Sequence, residues 1–267
     1  MHVVVTGASS GIGEALVREY AGAGAKVTMV ARRKALLDAL AIDLGDTVRV
    51  QVADLGDPTQ ATAWIDDAIA AFGPIDVVIN NAGVQIVAPT QDISVEKLRN
   101  LLEVDLFAPL AIIAVLLPKM LARGSGAIVN ISSLAALAPT PGMAYYSAAK
   151  AGIGAASESL RGELRRTPIK VVTVYPGPVD TPMARAAYEV VPPTVAVKML
   201  PEGNAPQLAR RIRRAVERKS ARVIYPWAYT LARHTPAMTR IFMDAFTPVP
   251  ASQLPAAKEE LGRDHSP

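Results

Sequence analysis

Cysteine is absent from the 267-residue chain. Disulfides, thiolate nucleophiles and cysteine metal sites are thereby excluded, and a reducing compartment fits. Histidine is scarce. His2, His234 and His265 lie far apart, without the paired spacing of metal ligands, and read as surface or packing residues. Long hydrophobic runs are missing as well. The longest, LFAPLAIIAVLL at 106–117, spans 12 residues with a proline inside. It is too short to cross a bilayer and reads as a buried helix. The opening MHVVVTGAS has no basic region followed by an apolar stretch, so no cleaved secretory signal is expected. A cytoplasmic protein is the expectation.

What is present is core material. Hydrophobic residues make up 51% of the chain and charged residues 19%, a balance too apolar for disorder. The length suits one large α/β domain or two small ones. The net charge of +4 is uneven, with one basic cluster in ARRIRRAVERKSAR at 209–222. Leu208, Ile212, Ala215 and Val216 recur there at helical spacing. The arginines therefore read as the wet face of an amphipathic helix. No aromatics interleave with them, which argues against nucleic-acid binding.

Short β-branched runs alternate with helical patterns. HVVVT (2–6), KVTMVA (26–31), TVRVQVA (47–53), DVVIN (76–80), AIVNIS (127–132), KVVTVY (170–175) and RVIY (222–225) read as strands. Helical apolar spacing lies between them, including a segment opening at Pro58 and two long ones at 94–123 and 143–166. Nearly continuous apolar strands alternating with helices predict a parallel sheet covered on both faces. No repeat or linker divides residues 1–246. The proline-rich stretch after Pro176 reads as a loop or short-helix excursion, and 247–267 as a polar tail.

The first strand runs into VVVTGASSGIG, with Gly7, Gly11 and Gly13 at the mouth of a helix. Glycines let the backbone approach a pyrophosphate, and the helix N-terminus supplies free N–H groups and a positive dipole end. The second strand ends at Ala31, Arg32 and Arg33, where an NAD site usually carries an acid for the ribose 2′-hydroxyl. Guanidinium groups pair with phosphate, so NADP is expected over NAD.

Two tyrosines stand together in AYYSAAKAG at 144–152. On a helix, residues four apart share a face. Tyr146 meets Lys150, whereas Tyr145 meets only Ala149. A free phenol has a pKa of roughly 10, and an adjacent ammonium lowers it. Tyr146 is thus the candidate to exchange a proton with an alcohol or carbonyl oxygen near neutral pH. Ser132 and Ser133 end another predicted strand, at the edge where parallel sheets bind ligands. A serine there donates to a substrate oxygen as charge develops.

Glycine loop, strand-end serine and Tyr-x-x-x-Lys together resemble the short-chain dehydrogenase/reductase family, over about residues 1–225. By that resemblance Thr6-Gly7-Ala8-Ser9-Ser10-Gly11-Ile12-Gly13 is the cofactor loop. Asp54, followed by Leu55, lies near the adenine. Asn80-Asn81-Ala82-Gly83 lines the cofactor, and Pro176, Gly177, Val179 and Thr181 hold its nicotinamide end. The family places its active serine thirteen residues before the tyrosine, which gives Ser133. The chain departs at Asp105, where the family usually has asparagine holding a relay water through its backbone carbonyl. A carboxylate there would raise the pKa of Lys150 and reduce its help to Tyr146 if the two pair directly.

The resemblance implies one doubly wound Rossmann-type α/β domain with seven parallel strands in the order 3-2-1-4-5-6-7. It implies an NADP-dependent oxidoreductase interconverting a carbonyl and a secondary alcohol. Tyr146 would act as acid or base, Lys150 would tune it and bind the nicotinamide ribose, Ser133 would polarise the oxygen, and Asp105 would hold the relay water. The alternative is an NADP-binding sensor or scaffold with little catalysis. The loop 183–204 carries Met183, Val190, Val191, Val195, Val197, Met199 and Leu200 and suggests a lipophilic substrate. The segment 222–246 carries Trp227, Tyr229, Leu231, Ile241, Phe242 and Phe246 with Arg222, Arg233 and Arg240. It reads as a pocket cover or subunit contact, with peripheral membrane contact as the rival. Family resemblance further implies a homodimer or homotetramer through the helices at 94–123 and 143–166.

Overall fold

Seven strands lie side by side in a computed structural model that describes residues 1–192, 199, 201–248 and 250–251. β1 (His2–Thr6), β2 (Lys26–Ala31), β3 (Val48–Val52), β4 (Val77–Asn80), β5 (Ala127–Ile131) and β6 (Lys170–Pro176) match the apolar runs of the sequence. Two-residue strands β7 (Val179–Asp180) and β8 (Gly203–Asn204) pair only with each other. β9 (Arg222–Tyr225) completes the main sheet, whose order is 3-2-1-4-5-6-9. This is the predicted order, with the small side ribbon intervening in the count. Every pairing in the sheet is parallel.

Side chains alternate across a strand, so each inner strand must be apolar on both faces. Val3 and Val5 of β1 enter one core and Val4 the other. The first core is closed by α1 (Gly11–Gly22), α2 (Lys34–Leu44) and α8 (Ala205–Glu217). The second is closed by α3 (Ile65–Phe72), α5 (Ala108–Arg123) and the end of α6 (Ala144–Glu163). α8 buries Leu208, Ile212, Ala215 and Val216, and leaves Arg210, Arg211 and Arg214 in solvent. Full burial of each large aliphatic side chain contributes about 1.5–3 kcal/mol.

Two local departures have identifiable causes. The helix expected from Pro58 begins only at Ile65. The Asp57 carboxylate accepts from the Thr59 N–H at 2.9 Å, the Thr59 hydroxyl and the Gln60 amide, and so holds the chain in turns. The segment expected as one helix at 94–123 is α4 (Val95–Leu102) and α5 joined by a π-helical turn at Glu103–Phe107. That turn carries one extra residue per hydrogen-bonded ring, so adjacent Val104 and Asp105 both face inward. Val95–Arg123 is long and apolar enough to cross a membrane by composition. Here its inner face, including Leu101, Ile112, Leu116 and Met120, is buried in the protein. After β6, α7 (Pro182–Val190) starts at Thr181, whose hydroxyl caps the Ala184 N–H at 3.2 Å.

His2 is buried at the sheet edge remote from the strand C-termini. Its Nδ1 lies 2.8 Å from the Gly73 carbonyl, which can only accept, so Nδ1 carries the proton. Nε2, 2.9 Å from Thr28 Oγ1, then accepts from that hydroxyl. Burial depresses the imidazole pKa, against the opposing pull of the Gly73 carbonyl and Asp76. The unfolded chain therefore takes up a proton that the folded chain refuses. Stability is full above about pH 6.5 and declines as the pH falls below it. Thermal unfolding between pH 7.5 and 5 is expected to show this decline, and His2→Gln to lessen it.

Candidate active site

The strands end along one edge, and the segments leaving them enclose a cleft of about 890 Å³. The glycine loop forms its floor. Gly7 has φ of +64°, and a Cβ there would stand 2.7 Å from Ala82 Cα. A Cβ on Gly13 would collide with the Gly7 carbonyl oxygen. Gly13 does not itself line the cleft; it lets α1 start directly against the loop. Asn81 Nδ2 donates to the Thr6 carbonyl at 2.9 Å, and the N–H groups of Asn81 and Ala82 both donate to Thr6 Oγ1 at 3.0 Å. These bonds tie the end of β4 to the end of β1. Ser9, Ser10, Gly11 and Ile12 line the cleft, with Ala82 and Gly83 on the opposite side of the turn.

At the far end, Arg33 reaches back over the loop. Its guanidinium donates to Ser9 Oγ at 2.8 Å and to Ser10 Oγ at 2.6 Å. Arg32 faces Asp54 at 3.6 Å, and Leu55 lies beside them in the same wall. Two guanidinium groups and two hydroxyls thus converge next to the glycine loop. At the other end Pro176, Gly177, Val179 and Thr181 fold over Gly11; a Cβ on Gly11 would come within 3.3 Å of the Thr181 side chain.

Tyr146 and Ser133 meet in the cleft wall. The Ser133 hydroxyl stands near enough to the Tyr146 phenol to favour its ionised form, and Ser133 Oγ accepts from the Ala135 N–H at 3.1 Å. Ser132 is held elsewhere: it is buried and donates to the Lys150 carbonyl at 2.7 Å. Tyr145 packs among apolar side chains behind the wall. One helical turn after Tyr146, Lys150 Nζ sits 5.7 Å from the centre of the Tyr146 ring and donates to the Ile131 carbonyl at 3.2 Å.

Asp105 stands behind that wall rather than in it. Its Oδ2 lies 3.0 Å from Lys150 Nζ, with both side chains buried. Oδ1 accepts from the Val84 N–H at 2.7 Å. Oδ2 receives no aligned hydrogen bond and is held by charge. Gly83 makes room for the pair, since a Cβ there would stand 3.1 Å from Oδ2. Burial alone would lower the Lys150 pKa, but Asp105 and Tyr146 together more than offset it and hold the ammonium above the usual lysine range. Burial pushes the Tyr146 phenol up, and Asp105 adds to that rise against the pull of Lys150 and Ser133. Lys150 still pulls the phenol down, as its place one helical turn away leads one to expect, but burial and Asp105 together outweigh that pull.

The apolar end of the cleft draws on residues the motifs did not reveal. Met143 and Tyr188 contribute, as do Met183 and Val191 of the loop expected to cover the pocket. Val190 and Met199 point outward, and Val195, Val197 and Leu200 lie outside the described residues. The roof comes from the segment after β9: α9 (Thr230–His234) and α10 (Pro236–Phe246). Tyr229, Leu231, Thr235 and Met243 line the cleft, whereas Trp227, Ile241 and Phe246 are exposed. Arg222 pairs with Glu158, and Arg233 approaches the same carboxylate at 4.0 Å. Thr247 and Pro248 also stand in the wall; of the expected tail, residues 252–267 lie outside the described residues.

Residues 1–191 match the family model described as short chain dehydrogenase. The chain belongs to the short-chain dehydrogenase family. It is 38% identical over 180 residues to an uncharacterized oxidoreductase of Staphylococcus epidermidis, covering 67% of this chain and 78% of that protein. A solved short-chain dehydrogenase from Streptomyces avermitilis is 31% identical with a TM-score of 0.78, covering 89% of this chain and 93% of that one. Another, from Sphingobium yanoikuyae in complex with NADPH, is 29% identical with a TM-score of 0.77, covering 94% and 98%. The protein is thus an oxidoreductase of this family with its Rossmann-type fold.

The donor set fits a phosphorylated dinucleotide: a glycine loop open to pyrophosphate, and arginine–serine donors beside it. Gly13→Ala forces backbone apart from backbone at the loop. It is expected to cost about 3 kcal/mol, lowering Tm by about 6–12 °C, and to abolish dinucleotide binding, both measurable by thermal shift with and without NADPH.

Proposed function

We propose that the protein uses NADP(H) to interconvert a carbonyl and a secondary alcohol on a lipophilic small molecule. The observation that carries this reading is the meeting of the Tyr146 phenol and the Ser133 hydroxyl in the wall of a cleft that opens from the glycine loop. The bound nicotinamide would supply or accept the hydride. Gly7, Ser9, Ser10, Gly11 and Ile12 would hold the pyrophosphate side, with Arg32 and Arg33 on the 2′-phosphate. Asp54, Leu55, Asn81, Ala82 and Gly83 would flank the adenosine half and the centre, and Pro176, Gly177, Val179 and Thr181 the nicotinamide end. Lys150 would bind the nicotinamide ribose. Ser133 would hold the substrate oxygen, and Tyr146 would give or take its proton. The NADPH on the Sphingobium relative supports the cofactor class.

The apolar end, with Met143, Tyr188, Val191 and Met243, favours a substrate with a hydrocarbon body. Phe107, Leu110, Val115 and Leu121 are exposed along Val95–Arg123. They support a homodimer through that helix. A second reading, an NADP(H) sensor or scaffold, is favoured by one observation: Lys150 is paired with the buried Asp105 carboxylate, 3.0 Å away.

NADPH oxidation against a panel of apolar ketones and aldehydes separates the two. Tyr146→Phe is expected to lower turnover by about 10²–10⁴-fold while NADPH still binds. Saturable NADPH binding with no turnover on any carbonyl would favour the sensor. Arg33→Ala is expected to weaken NADPH binding by about 10–100-fold, the range for losing a charge-assisted hydrogen bond, and to leave NADH binding nearly unchanged. Titration of the intrinsic fluorescence with each nucleotide checks this.

A further inference from the structure

We propose that Asp105 is a positioning residue for proton transfer: it opposes the charge of Lys150 and so, together with burial, keeps Tyr146 protonated, as an acid poised for carbonyl reduction, through neutral and mildly alkaline pH. The proposal rests on the carbonyl–alcohol reading above and goes beyond it by assigning the protonation state in which the site works.

The argument begins with charge counting. Lys150 Nζ and Asp105 Oδ2 are 3.0 Å apart, and both side chains are almost wholly buried. The Val84 N–H donates to Oδ1, and the Lys150 ammonium also donates to the Ile131 carbonyl. Both contacts favour the ionised pair. Were the proton to move from Nζ to the carboxylate, the pair would still carry no net charge. In either form Asp105 opposes the pull of Lys150 on the phenol. The side chains with charge that act on Tyr146 are Lys150, from its own helix, and Asp105, from the π-helical turn. Ser133, from the end of β5, faces it as a neutral hydroxyl. A buried phenol with no net positive charge beside it holds its proton, because the phenolate would be poorly solvated.

Reduction requires that state. A hydride arrives at the carbonyl carbon, the Tyr146 O–H bond breaks, and its proton goes to the substrate oxygen. The phenolate left behind recovers a proton from solvent before the next turnover. Oxidation runs the same steps backward and needs the phenolate first. With Asp105 in place, reduction therefore persists to high pH, and oxidation sets in only where the phenol ionises. An asparagine at 105 would leave Lys150 as a net cation and favour the phenolate.

The test reads the phenol directly. The chain has seven tyrosines, and the ultraviolet phenolate titration of Tyr146→Phe subtracted from that of the unaltered protein isolates one of them. In the unaltered protein Tyr146 is expected to titrate above the ordinary phenol range. In Asp105→Asn, measured against Asp105→Asn/Tyr146→Phe, its titration is expected at least about one pH unit lower. The alkaline limb of kcat/KM for carbonyl reduction should move down by the same amount. Asp105→Glu, which keeps the charge, should restore the original limb. A Tyr146 titration unchanged by Asp105→Asn overturns the proposal, even if Tyr146→Phe abolishes turnover and the functional reading stands. A shifted titration in a protein that reduces no carbonyl upholds the electrostatic assignment and removes the functional reading instead. If Asp105→Asn fails to fold, the unaltered protein still puts the assignment at risk, since a Tyr146 phenolate near neutral pH would overturn it.

Discussion

A parallel strand cannot turn back onto its neighbour; the chain must cross over the sheet and start again from the same side. Every strand of the main sheet here therefore delivers its C-terminus to one edge. Residues scattered from Gly7 to Tyr229 reach one cleft for that reason. The crossovers also demand cover on both faces, which is why Val3, Val4 and Val5 are apolar in succession and enter two separate cores. Chemistry and stability share one geometric source. The sheet that buries the cores also gathers the loops.

Within the cleft the two ends obey different physics. The glycine end is built from backbone approach, where a single added carbon at Gly13 meets a carbonyl oxygen. Shape decides there. The tyrosine end is built from charge in a dry setting, where Lys150 and Asp105 balance each other out of contact with water. Low polarisability of the surroundings makes each charge matter more than it would at the surface. The π-helical turn joins the two accounts, because its extra residue is what turns Asp105 inward beside Val104. A regular helix would carry the carboxylate elsewhere.

Legibility in the sequence followed the range of the interactions. The strands and the glycine loop rest on local patterns and were readable, whereas the strand order came from the family resemblance. The choice of Tyr146 over Tyr145 needed only the four-residue helical repeat, and the structure places Tyr146 in the wall and Tyr145 behind it. Ser133 rested on family spacing, and the structure separates it from Ser132 by their hydrogen bonds. The Asp105–Lys150 pair joins residues forty-five positions apart through a helix irregularity that no periodicity announces. The consequence of such a pair could be stated from sequence, but not its formation. The late start of α3 escaped for the opposite reason. Asp57 competes with the helix through its own side chain, a contest between neighbours that apolar spacing does not register.

The roof of the cleft has a different standing in the chain from its floor. The family match ends at residue 191, whereas Tyr229, Leu231, Thr235 and Met243 come later. They belong to a segment of two short helices and the turns beside them, whose described links to the body include the contact of Arg233 with Glu158. The part of the chain that touches the outer end of the cleft is thus nearly free of duties in the sheet. Its side chains can change without disturbing strand register or the glycine loop. The outer wall of the cleft is to that extent a detachable part of the molecule, while the floor beneath it is bound to the sheet.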